Sequence, residues 1–97
     1  MSQIHIHARI NGLPAHVLTG WSRPEQAFFL YAWVEVMTDR DPEAVLEVAR
    51  DIPTLLGGGE ALGIRLSPEQ TARLIPMLAD HRARNAGNEV EFLGFEK

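Results

Sequence analysis

The pair Asn11-Gly12 constrains this chain more than any other feature, because it stands between two segments that alternate apolar and polar residues. A two-residue type I′ turn needs positive φ at both central positions, which asparagine and glycine tolerate best. With these two residues as the turn, the register of the flanking strands follows. Ile10 falls opposite Leu13, Ala8 opposite Ala15, Ile6 opposite Val17 and Ile4 opposite Thr19, an almost wholly apolar face. The other face pairs Arg9 with Pro14, His7 with His16 and His5 with Leu18. A slip of one residue would scramble both faces, so the pattern supports this one alignment. Pro14 has no N–H to give to a further strand, which predicts that the second strand is a sheet edge.

The register also sorts the histidines. His5 and His7 lie two apart and share a face, and His7 meets His16 as a non-hydrogen-bonded pair, with Cα atoms about 4.5 Å apart. Three imidazoles so placed can hold zinc and leave a fourth position open. No carboxylate stands near them in sequence to serve as a ligand or to orient a ring. The expectation is a solvated polar face with no metal and no cofactor. The alternative is a metal-binding protein or small metalloenzyme built on His5, His7 and His16. On a surface that meets a partner, clustered imidazoles would make binding depend on pH.

With 97 residues the chain suits a single domain spanning 1–97. Apolar residues make up 45% and charged residues 23%, a globular balance that argues against disorder. No apolar run is long enough to span a membrane, and "MSQIHIHARI" lacks the basic and apolar regions of a secretory signal. There is no cysteine, which removes disulfides, thiol nucleophiles and thiolate zinc sites together and fits a reducing, cytoplasmic setting. The net charge of −4, with no basic block, argues against nucleic acid as a partner. Arginine outnumbers lysine among the basic residues, a bias that points to a bacterial or phage source.

Three helix starts can be read. Ser22-Arg23-Pro24-Glu25 and Ser67-Pro68-Glu69-Gln70 have the form of capping boxes, and Asp41 precedes Pro42 as an N-cap before proline. The first helix is expected from about Pro24 to Thr38, with Phe29, Leu30, Trp33, Val34, Val36 and Met37 toward the hairpin. Phe28 and Tyr31 then fall outside that sector beside Glu35 and Asp39. Phe28, Tyr31, Glu35 and Asp39 form the candidate partner-binding surface, aromatic with a carboxylate rim. A second helix is expected over Pro42 to Asp51, with Val45, Val48, Ala49 and Ile52 as its stripe, interrupted by Pro53. Gly57 to Gly59 lack the strand and the Lys-Ser/Thr of a phosphate loop and are read as a flexible connection. The third helix starts at Pro68, is kinked at Pro76, and places His81, Arg82 and Arg84 at its negative end, where His81 serves the helix dipole. After a turn at Asn85 to Asn88, "EVEFLGF" reads as a strand beside the first, and "GIRL" as a very short one.

The predicted fold is α+β: an N-terminal hairpin plus a C-terminal strand in a small antiparallel or mixed sheet, with three helices on one face. Catalysis is not expected. Of the serines, Ser2 is terminal, and Ser22 and Ser67 serve as caps, so no nucleophile and base can be paired. In size and charge the chain resembles the small acidic proteins that phages and mobile elements encode to inhibit host machinery, anti-CRISPR inhibitors among them. That resemblance implies a non-enzymatic module acting through a protein partner. A homodimer joined through the exposed edge of the second strand is a further possibility.

Overall fold

The computed structural model describes residues 1–34 and 41–94. The elements run β1 (Gln3–Ile10), β2 (Leu13–Ser22), β3 (Ala27–Val34), β4 (Ala44–Ala49), α1 (Ile52–Ala61), β5 (Ile64–Arg65), α2 (Pro68–Ala83) and β6 (Val90–Leu93). The six strands form one sheet in the order β4-β3-β2-β1-β5, and β6 also pairs with β1. All pairs are antiparallel except β1 with β6. The far edge of β1 is thus shared, with β6 along Gln3 to Ile6 and β5 at Arg9 and Ile10. The protein is mostly sheet, with two helices among the described residues, and this overturns the expected three helices on a hairpin.

The front hairpin has the predicted register at every pair, from Ile4 with Thr19 to Ile10 with Leu13. Asn11 and Gly12 take φ values of 50° and 85°, as a type I′ turn requires. The second strand is not an edge, however. It pairs with β3 from Ala15 to Ser22, and Pro14 lies one residue outside that ladder. The proline therefore marks where pairing begins, and an edge-to-edge dimer through β2 has no free edge to use.

The described part of the segment read as a first helix holds an interior strand, β3, and its positions 35–38 lie outside the described residues. Ser22 Oγ does lie 3.4 Å from the Glu25 N–H, the contact a cap would make. Here it closes a four-residue loop, with Gln26 at φ 51°, and Ala27 pairs back with Ser22. Turn and cap share this side-chain bond, so the motif does not separate them. Every residue of "AFFLYAWV" is buried or half-buried, on whichever face of β3 it lies. Alternation disappears in such a run, and a helical stripe can be drawn through it.

The segment read as a second helix is β4. Its register with β3 shifts between Phe28 and Leu30: Leu46 faces Leu30, but Ala49 faces Phe28. This bulge puts an extra residue into β4, so core-facing positions fall three apart and imitate helical spacing. Asp51 then caps α1, its Oδ1 accepting the Thr54 N–H at 2.8 Å, and Pro53 sits in the first turn. Gly57 to Gly59 are helical, not a flexible connection. A Cβ on Gly58 would stand 2.6 Å from Leu46 Cδ2 and one on Gly59 3.3 Å from Leu30 Cδ1, so two of the glycines let α1 lie close on β3 and β4. The predicted capping box of α2 is present in both directions between Ser67 and Gln70.

Both helices lie on one face of the sheet. There Ile4, Ile6, Val17, Trp21, Phe28 and Leu30 join Leu55, Leu74 and Leu78 in one core. The loop before β3 is tied to the end of α2: Trp21 Nε1 and Gln26 Nε2 both donate to Asn85 Oδ1, each at 2.8 Å.

Candidate functional site

The opposite face of the sheet carries the other residues of each strand, and among the described residues no helix lies on it. Alternation along β3 places Phe29, Tyr31 and Trp33 there. Phe29 and Tyr31 ring centroids are 5.7 Å apart, and Tyr31 and Trp33 6.2 Å. Trp33 meets His16 of β2 edge-on at 6.4 Å, and His16 meets His5 of β1 edge-on at 5.0 Å. His5 in turn stacks on Phe92 of β6 at 5.1 Å. Six rings therefore form a continuous path across four strands. The path ends at the sheet edge, where Phe92 is 63% exposed and Val90, on the same face of β6, 54%.

The histidines are the polar part of this path. His5 Nδ1 and His16 Nε2 are 2.8 Å apart, and His5 Nε2 is 3.2 Å from Gln3 Oε1. With the amide oxygen as acceptor, His5 Nε2–H donates to Gln3, its Nδ1 is left as an acceptor, and His16 Nε2–H donates to it. Burial holds both imidazoles below their ordinary pKa, and for His16 the neighbouring charges of His5 and His7 add to the effect. The expected solvated histidine face is corrected here: only His7 is exposed, His16 is half-buried, and His5, at 7%, is enclosed between His16 and Phe92. Nor do the three rings converge as ligands. Among the described residues the one group of three or more possible ligands gathered closely enough for an ion is His81, Glu89 and Glu91.

Of the predicted partner-binding residues, Tyr31 lies on the ring face, half-buried. Phe28 is fully buried in the core on the other face, because residues three apart on a strand point to opposite sides. Glu35 and Asp39 lie outside the described residues. Sequence reading missed Phe29, Trp33 and Phe92 as members of this face. Once "AFFLYAWV" is taken as a strand, the first two follow from alternation alone.

A second polar cluster joins α2, β6 and the N-terminus. His81 stands in the last turn of α2, as expected, and is fully buried. Its Nδ1 is 2.9 Å from Ser2 Oγ and its Nε2 2.7 Å from Glu91 Oε2. The order serine, histidine, glutamate is that of a nucleophile relay. Ser2 is fully buried, however, and its Oγ accepts the Trp21 N–H at 2.9 Å. A substrate carbonyl has no path to that oxygen, so the line is a tie and not a catalytic triad. A cavity of about 300 Å³ lies between the helices and the sheet. It is lined by Ile6, Val17, Leu55 and Leu74, and the fully buried hydroxyl on it, Thr19 Oγ1, already donates to the Phe29 carbonyl at 2.6 Å. Glu60 and Arg65 border it as exposed residues, and no acid–base pair faces inward.

No helix is long and apolar enough to cross a membrane among the described residues. No family model, no curated protein and no solved structure matches the chain.

Proposed function

We propose that this chain is a non-catalytic module that binds another protein through the ring face of its sheet, centred on Tyr31, His16 and Phe92. The observation that carries the reading is the continuous ring path from Phe29 to Phe92 on the face opposite both helices. Aromatic side chains bring large contact area at low conformational cost and are enriched at the centres of protein interfaces. Exposed apolar groups beside them, Val90 and Phe92 at one edge and Val45 and Val48 at the other, extend the surface across the sheet. A stacked aromatic sheet can also hold single-stranded nucleic acid, but that use couples the rings to a cationic track. Here the chain carries a net charge of −4. An inhibitor of host machinery, the role suggested by size and charge, makes the same demand: a contact face and no chemistry.

The test is quantitative capture of partners by the wild type and by a Tyr31→Ala/Phe92→Ala double variant whose circular dichroism and melting match the wild type. Loss of one or more partners by at least tenfold is the expected result. Equal recovery of every partner by the two proteins would overturn the assignment of this face.

A further inference from the structure

We propose that His81, Glu89 and Glu91 form a binding site for a divalent transition-metal ion, on a surface separate from the ring face. Three donor atoms, one from each residue, lie within 4.8 Å of one another. His81 Nε2 is 2.7 Å from Glu91 Oε2 and 4.0 Å from Glu89 Oε1. An ion bound at about 2.0 to 2.2 Å to nitrogen and oxygen sets its ligands roughly 3.3 Å apart in tetrahedral geometry. The two observed separations bracket that spacing, so small side-chain movements reach it.

The groups behind the three ligands are those a metal site uses. A ligating histidine needs its other ring nitrogen held, and His81 Nδ1 faces Ser2 Oγ at 2.9 Å inside the core. A neutral ring that donates from Nε2 to Glu91 must move that proton to Nδ1 to free the Nε2 lone pair. Ser2 can follow the change. Its hydroxyl donates to Nδ1 in the first state, and in the second accepts from Nδ1–H and turns its own proton to the Trp21 carbonyl, 3.4 Å away. Glu89 is aimed by Arg84, whose Nη1 and Nη2 grip its two oxygens. Each carboxylate oxygen has a second lone pair, so Oε1 binds the ion while the Arg84 contact persists. Arg84 is itself held by Asp80 at 2.9 Å. Both glutamates are about two-fifths exposed, which leaves the ion open to solvent on one side.

One nitrogen and two carboxylate oxygens suit zinc, cobalt(II) or manganese(II). Cobalt(II) titration of the full chain, followed by visible absorption, with zinc competition, tests the site. The expected result is one equivalent bound, displaced by zinc, with affinity at least 100-fold lower in Glu89→Gln/Glu91→Gln and unchanged in His5→Gln/His16→Gln. Both glutamates lie at the surface, so the double variant remains folded, and its amide spectrum confirms that. Overturning results are no saturable binding up to millimolar metal, or equal affinity in the wild type and Glu89→Gln/Glu91→Gln. Loss of binding in His5→Gln/His16→Gln alone would also overturn the proposal and move the ion to the ring face.

Discussion

His5 and His16 hold each other through a 2.8 Å hydrogen bond, Nδ1 to Nε2, although the strand register sets His16 opposite His7. The bond is therefore diagonal across the β1–β2 ladder, and it is what turns the path of rings from β2 into β1. It also requires that His5 Nδ1 remain unprotonated, since that nitrogen is the acceptor.

A pH dependence of stability follows. Both imidazoles have folded pKa values below their unfolded value of 6.5, so the unfolded chain binds more protons in that window. Stability from this pair is full above about pH 6.5 and is lost as pH falls below it toward the folded values. Urea midpoints measured between pH 8 and 5 should decline for the wild type, and more gently for His5→Gln. Parallel curves for the two proteins would show that the pair does not contribute.

Two glycines should respond to alanine in opposite directions. A Cβ on Gly20 would collide with the backbone carbonyl of Ser2, which β2 holds through Trp21, so Gly20→Ala should cost roughly 1–3 kcal/mol. Gly57 sits inside α1 with nothing within 4 Å of a built Cβ, so Gly57→Ala should stabilise by about 0.5–1 kcal/mol. Thermal and denaturant melts of both variants check the signs. Destabilisation by Gly57→Ala would mean that α1 is not helical through its glycines.

Thr19 is the buried hydroxyl at the centre of β2, and it donates to the Phe29 carbonyl across β3 at 2.6 Å. Thr19→Val keeps the shape and removes that donor, at an expected cost of about 1–2 kcal/mol. Chemical denaturation measures it directly, and a change below about 0.3 kcal/mol would contradict the bond's role.

Ser67→Ala removes one half of the reciprocal cap on α2 and should cost about 1 kcal/mol. Amide exchange at Gln70, whose N–H loses its acceptor, should quicken well before the helix interior does. Uniform exchange along α2 would contradict a local cap.

The hairpin, the cap of α2 and the two short strands were legible because each rests on a local rule: Asn-Gly turn geometry, the serine–glutamine cap, alternation. The failures have physical causes as well. A strand with both faces buried or half-buried, Ala27–Val34, has no alternation to show; in β4 the bulge sets core-facing Leu46 and Ala49 three apart, while Val45 and Val48 of the expected stripe are exposed. The glycine run looks like a breaker in the sequence because its reason, the nearness of Leu46 and Leu30 beneath α1, is a tertiary one. At the site, alternation on β1 and β2 put the histidines on one face correctly. Their enclosure could not be read there, since Phe92 reaches His5 only through the parallel pairing of β6 with β1. The enclosure of His81 was hidden for a related reason: Glu91, its partner, reaches it from the half-exposed end of β6, whose Val90 and Phe92 lie on the other face.

The most direct measurement of the central claim, that the ring face is where a partner sits, is site-specific photocrosslinking in cells. A benzophenone side chain at position 92 lies on that face, and one at position 73 lies on exposed α2, behind the opposite face. Covalent capture of a partner from position 92 and none from position 73 is the predicted result. Capture from position 73 with none from 92 would contradict it.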